Sequence, residues 1–167
     1  MRIGMMVGEG SGATPDITGL CERGRLAEAA GLDTAWIANI QLDAMTGAAA
    51  LASSTDRIEI GTAVVPTFTR HPVAMLQQAA STQLVCDGRF TLGVGLAHKF
   101  MVEDMWGLSY DKPAKHMRSY LEVLAPGLKG EPVNSLSMAG VTDLCVFPFE
   151  TEVGEIERTV RFLAGTV

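Results

Sequence analysis

The sequence predicts an α/β fold built on a parallel sheet. Short apolar, β-branched runs alternate with helical stretches five times along 167 residues. Strand–helix alternation of this kind implies parallel strands joined by right-handed crossovers. Charged residues make up 19 % of the chain. An average protein has ~25 %, and a lower share suits strands covered on both faces.

Residues 2–7 (RIGMMV) read as a buried strand running into the glycine-rich loop 8–12. Thr14-Pro15-Asp16 opens a helix. Thr14 can cap it, Pro15 fits the first turn, and Asp16 suits the positive end of the helix dipole. Ile17, Leu20, Cys21, Ala27 and Ala30 form its apolar stripe, and Gly31 ends it. A second strand covers 34–38, and an alanine-rich helix follows over 43–53. Residues 58–65 (IEIGTAVV) are the most β-branched stretch and predict the third strand. Pro72 opens a third helix, with Val73, Leu76, Ala79, Ala80 and Leu84 on one face.

Asp87-Gly88-Arg89 is a tight turn, and 90–96 (FTLGVGL) is a fourth strand. A long loop over 98–112 carries Met101, Met105, Trp106 and Tyr110. Pro113 opens a fourth helix with Met117, Tyr120, Leu121, Leu124 and Leu128 at helical spacing. After a break in composition at 130–137, residues 141–147 predict a fifth strand and 151–163 a last helix.

The formal net charge is −6, from 13 basic and 19 acidic residues. Broad nucleic-acid binding needs a basic face and is disfavoured. Cys21, Cys86 and Cys145 are far apart and form no CxxC pair, so they read as buried free thiols rather than a disulfide framework. Three scattered histidines make no metal site. The first apolar run is short for a signal peptide, and no stretch approaches the ~18 apolar residues of a membrane span. The expectation is a cytoplasmic protein of one domain, 1–167.

Several residues carry two readings. Gly93-Val94-Gly95 opens no helix, so it suits a close approach of two backbones better than phosphate binding. His98 follows the fourth strand, where it is either a proton donor or a solvated loop residue. His71 precedes Pro72 and suits a capping or packing role, while His116 sits between Lys115 and Arg118 on a surface helix. Arg70 pairs with a phosphate or, more commonly, with a neighbouring carboxylate. Phe100 and Trp106 either wall a pocket or join the core.

The run over 58–95, with its strand, GT-x-V, a loop ending in RHP, a helix, then GRF-x-LGVG, resembles the luciferase-like superfamily. That superfamily holds flavin monooxygenases and deazaflavin-dependent oxidoreductases. DKPAKHMRSYLEVL and AGVTDLCVFPF resemble the next helix and the last strand of its deazaflavin-type members. The resemblance implies an incomplete (β/α)₈ TIM-barrel-like fold with about five parallel units, since a full barrel needs ~250 residues. Residues 1–130 correspond to the first four units and 139–167 to the last, so about three central units have no counterpart.

The resemblance also implies a cofactor, coenzyme F420 (a deazaflavin) or alternatively FMN, and a small-molecule substrate. A cis peptide falls at Ala63–Val64, behind the cofactor ring. Asn39, Thr62, Ala63, Val64, Gly95 and Leu96 are the implied cofactor contacts, and His98 is the candidate catalytic residue. Sugar-phosphate-oxidising relatives carry Asp-His where this chain has Asn39-Ile40, and Ile40 does no acid–base work. The expected activity is hydride transfer between the cofactor and an organic substrate, in a homodimer. The competing expectation is a non-catalytic flavin-binding protein or degenerate barrel remnant acting as an oligomer.

Overall fold

The computed structural model describes residues 2–8 and 14–130. The fifth strand and last helix expected over 141–147 and 151–163, and Cys145, lie outside the described residues. Strands β1 (Gly4–Met6), β2 (Thr34–Ile37), β3 (Glu59–Thr62) and β5 (Phe90–Thr91) form one sheet in the order β1-β2-β3-β5. All neighbours are parallel. Strands β4 (Val65–Pro66) and β6 (Val94–Gly95) form a second parallel pair. Helices α1 (Ile17–Ala29), α2 (Ala44–Ala52), α3 (Pro72–Val85) and α4 (Pro113–Leu128) follow the strands, and each packs on the next. No helix among the described residues is long and apolar enough to cross a membrane.

The core lies between helices and sheet. Leu20, Ile37, Met45, Leu51, Ile60, Met75 and Leu124 are its largest aliphatic members. Burial of each such side chain stabilises the fold by roughly 1.5–3 kcal/mol. Cys21 and Cys86 are buried free thiols. The other face of the sheet carries Trp36. A Cβ on Gly61 would lie 2.3 Å from the Trp36 ring, and one on Gly4 would lie 2.6 Å from its Nε1. The indole therefore lies over two backbones that only glycine leaves bare.

Local chemistry corrects several expectations. Asp16, not Thr14, caps α1, accepting from the Gly19 N–H at 2.9 Å. Gly31 ends that helix region with a φ of +77°. The first strand is not buried as a whole: Val7 is buried, but Ile3, Met5 and Met6 are exposed. β1 is the sheet's edge, and its outer side has no partner strand among the described residues. In α3 the buried face is Pro72, Met75, Ala79 and Thr82, and Leu84 is exposed. Thr82 tolerates that burial because its hydroxyl donates to the Gln78 carbonyl at 2.8 Å.

The third and fourth strands each divide in two. The peptide bond between Ala63 and Val64 is cis and separates β3 from β4. On either side the backbone is held. The Ala63 N–H donates to the Ile37 carbonyl at 2.8 Å and the Val65 N–H to the Gly93 carbonyl at 2.9 Å. Gly93 lies between β5 and β6. Its N–H donates to Thr62 Oγ1 at 2.8 Å, and the same hydroxyl donates to the Gly93 carbonyl at 2.9 Å. A Cβ on Gly93 would stand 2.0 Å from the Thr62 carbonyl oxygen. The expected close backbone approach is therefore made at Gly93.

The loop before β3 is fastened from two sides. The Arg89 guanidinium donates to Thr55 Oγ1 and to the carbonyls of Ala52, Thr55 and Ile58, at 3.0–3.2 Å. The Glu28 carboxylate accepts from the N–H groups of Asp56, Arg57 and Ile58. Partial burial works to raise the Glu28 carboxyl's pKa. The three N–H donors and the Arg57 charge outweigh it, and the group lies below its ordinary value of 4.5.

Two outcomes follow. Thr62→Val keeps the shape but leaves the Gly93 N–H without its partner. Urea unfolding is expected to show a loss of about 1–3 kcal/mol, and a loss under ~0.5 kcal/mol would remove this bond from the account. Glu28 is depressed in the folded state, so its contribution is complete above pH 4.5 and fades as pH falls through the folded value. Stability measured from about pH 6 down to about pH 3 is expected to fall less steeply in Glu28→Gln than in the parent.

Candidate functional site

The carboxyl ends of parallel strands are where such folds assemble ligand sites. A cavity of about 540 Å³ opens there. Organic ligands occupy pockets of roughly 300–1,000 Å³. One wall is Ala38, Asn39 and Ile40, directly after β2. The second is Ala63, Val64 and Pro66, around the cis bond. The third is Ala97 and His98 after β6, continued by Phe100, Met101 and Met105.

Each wall is held by local structure. Asn39 Oδ1 accepts the Ala44 N–H at 3.0 Å, which fixes the side chain at the start of α2 and leaves its amide NH₂ as a donor. Asp43 caps the same helix, accepting from the Thr46 N–H and hydroxyl at 2.8 Å, and pairs with Arg70 Nη2 at 2.5 Å. Burial raises the Asp43 pKa, but Arg70 and Thr46 outweigh it and hold the carboxyl below its ordinary value. Arg70 thus takes its carboxylate reading.

The long loop contains a helical turn that the sequence did not announce. Met101–Met105 form one π-type turn, closed by the Trp106 N–H donating to the Met101 carbonyl at 3.0 Å. Val102, within the turn, is fully buried. Single π-turns recur at functional sites. The loop's entry is Ala97, at φ +62°, a left-handed conformation uncommon for a residue with a Cβ. Its carbonyl accepts the Tyr110 hydroxyl at 3.3 Å.

A ring stack joins this loop to its neighbour. His116 lies parallel to Phe68, with centroids 4.0 Å apart at 6°, and Phe68 stacks on Tyr110 at 5.4 Å. His116 Nε2 is 3.1 Å from Thr67 Oγ1. The surface role expected for His116 is therefore wrong: α4 turns it inward, and burial lowers its pKa. His71 caps α3 as expected, accepting the Val73 N–H at 3.3 Å.

Of the residues singled out from sequence, Asn39, Ala63, Val64 and His98 meet in the cavity, and Phe100 joins them. Thr62, Gly95 and Leu96 do not line it. Thr62 is buried with its hydroxyl committed to Gly93. Gly95 lies under Val64: a Cβ there would stand 2.4 Å from Val64 Cγ2. Trp106 is absent from the walls as well. Sequence reasoning missed Pro66, Ala38 and Ala97, whose available signal was their place at strand ends.

A smaller cavity of about 350 Å³ includes Arg2, Glu28, Asp33 and Glu59. Its polar groups serve the fold: Glu59 accepts from Thr91, Arg2 and Thr34, and Asp33 accepts the Ile3 N–H.

Comparison with known proteins bears on the family and the fold. The chain is 31 % identical over 125 residues to a putative coenzyme F420-dependent oxidoreductase of Mycobacterium tuberculosis, covering 74 % of this chain and 35 % of that protein. It is 28 % identical over 111 residues to a 5,10-methylenetetrahydromethanopterin reductase of Methanolobus tindarius, covering 65 % of this chain and 34 % of that protein. The chain thus spans about a third of the length of these curated relatives. The crystal structure of the coenzyme F420-dependent tetrahydromethanopterin reductase of Methanopyrus kandleri matches with a TM-score of 0.64 at 22 % identity, over 75 % of this chain and 39 % of that one. That likeness shows the fold, a TIM-barrel type of which this chain forms an incomplete version. The description "luciferase-like monooxygenase" fits residues 1–151, and the chain belongs to that family.

Proposed function

We propose that the chain is an oxidoreductase that moves a hydride between a deazaflavin, coenzyme F420, and a small organic substrate, with FMN as the alternative cofactor. The observation that carries this reading is the convergence of Asn39, Ala63–Val64 and His98 on one cavity at the strand ends. The names of the Mycobacterium and Methanolobus relatives support it.

The residues present fit a planar ring. Val64 and Pro66 offer an apolar face, Asn39 offers an amide donor to a ring heteroatom or carbonyl, and His98 stands across the cavity. A bound deazaflavin supplies the hydride chemistry; the protein supplies orientation and a site shielded from water. His98 holds or delivers a proton at the substrate's reacting atom. In this reading Thr62 and Gly95 act from behind, by setting the position of Val64. In this reading the working form is a cytoplasmic homodimer.

A second reading is cofactor binding without turnover.

Titration with coenzyme F420 and with FMN, followed by fluorescence, tests the proposal. Saturable binding of one at on the order of 1 µM is expected, weakened at least ~10-fold by Val64→Glu. Binding of neither by the folded protein would end it. Binding without any reduction of the cofactor by a panel of alcohols and hydride donors would favour the second reading.

A further inference from the structure

Helix α4 carries two apolar faces. Tyr120, Val123 and Leu124 are its buried residues, and α3 packs along it. A second row runs beside that face: Ala114, Met117, Leu121, Ala125 and Leu128. Steps of 3, 4, 4 and 3 residues keep the row within an arc of about 80°, at ~100° per residue. Met117 is half-buried and the other four are exposed, Leu121 at 40 % and Leu128 at 51 %. A groove follows the row, with Arg118, Glu122 and Lys129 along its far side. At Leu128 the row meets a second groove between α3 and α4, where exposed Leu84 stands beside Phe90 and Leu92. Apolar residues at this spacing form a seam for another helix, and an apolar patch of this kind marks an interaction surface.

The row is symmetric in position about Leu121. Met117 and Ala125 stand four residues to either side of it, Ala114 and Leu128 seven. In size it is asymmetric. A second α4 laid antiparallel, Leu121 on Leu121, sets Met117 against the partner's Ala125 and Leu128 against the partner's Ala114. Large side chains facing small ones interdigitate, and a two-fold axis makes each contact twice. A parallel pair would set Leu128 on Leu128 and alanine on alanine, which leaves gaps.

Charge near the axis favours the same seating. The partner's Glu122 stands level with residue 120, two residues from Arg118 and so ~3 Å away along the helix axis. Both lie on one side of the seam, and the two-fold makes two such pairs. A parallel pair would set Arg118 against the partner's Arg118. Lys115 and the partner's Lys129 also come level in the antiparallel pair. They do so at its outer ends, where both are exposed and screened by water and salt.

We infer that α4 is a self-association surface, through which two copies of this chain pair antiparallel on a two-fold axis at Leu121. This gives the homodimer of the proposed function an interface and does not depend on the cofactor. One helix row and the adjoining groove place the contact at the small end of specific interfaces, roughly 1,200 Å² in total. The expected dissociation constant is on the order of 10 µM.

The test is sedimentation equilibrium of the full chain from about 1 to 200 µM, with no cofactor added. A reversible monomer–dimer equilibrium is expected. Leu121→Glu puts two carboxylates at the axis and is expected to weaken the dimer at least ~30-fold. Arg118→Glu, at an exposed position, is expected to weaken it at least ~5-fold, and Arg118→Glu with Glu122→Arg in one chain is expected to restore it. Melting temperatures, measured at ~1 µM where the monomer predominates, are expected to match the parent in all variants. A chain that stays monomeric throughout the range overturns the inference. So does a dimer that Leu121→Glu leaves intact, or one indifferent to Arg118→Glu. A melting temperature lowered by Leu121→Glu at ~1 µM overturns it too, since the row is then covered within the monomer. Cofactor binding by a monomeric chain defeats this inference and leaves the hydride-transfer reading. A dimer of this design that binds neither F420 nor FMN defeats that reading and leaves the interface.

Discussion

The structure turns on the contact between Thr62 and Gly93. One buried hydroxyl serves both the N–H and the carbonyl of Gly93. That arrangement exists because no side chain stands at Gly93, where a Cβ would fall 2.0 Å from the Thr62 carbonyl. It holds the end of β3 to the gap between β5 and β6 where both long strands divide. The Gly93 carbonyl also accepts the Val65 N–H. The backbone around Ala63–Val64 is thereby fixed relative to Ala97 and His98, so two of the cavity's three walls inherit their spacing from one residue pair.

The polar groups of the scaffold are used to fasten loops, which leaves the cavity apolar. Arg89 and Glu28 hold the loop before β3 from opposite sides, one through carbonyls and one through N–H groups. Asp43 caps α2 and fixes Arg70, so the start of α3 is tied to the start of α2. Loops carry function when the scaffold beneath them is rigid, and these ties supply that rigidity. The His116–Phe68–Tyr110 stack does the same for the loop bearing His98. It reaches the cavity without touching its contents, through the Tyr110 hydroxyl on the Ala97 carbonyl.

Much of the scaffold was legible in the residues. The alternation of runs, Pro72 and Pro113 at helix starts, Gly31 at a helix end and the Asp87-Gly88 turn are local signals, and the four helices among the described residues stand where they put them. The site was legible in part. The resemblance implies Asn39, Ala63 and Val64, the position after the fourth strand points to His98, and one cavity brings these four together. Thr62, Gly95 and Leu96, implied by the same resemblance, do not line that cavity; strand alternation turns Thr62 away from it and into the Gly93 contact.

By itself, the sequence determined the order of strands and helices, the parallel pairing and the family, because these depend on short-range patterns of apolar, glycine and proline residues. Tertiary structure alone decided which face α3 buries, where the long strands divide, the π-turn at Met101–Met105 and the inward turn of His116. Those outcomes depend on partners distant in the chain, such as Thr67 for His116 at a separation of 49 residues. Packing around such partners overrides local propensity, so a pattern read along one segment does not contain them.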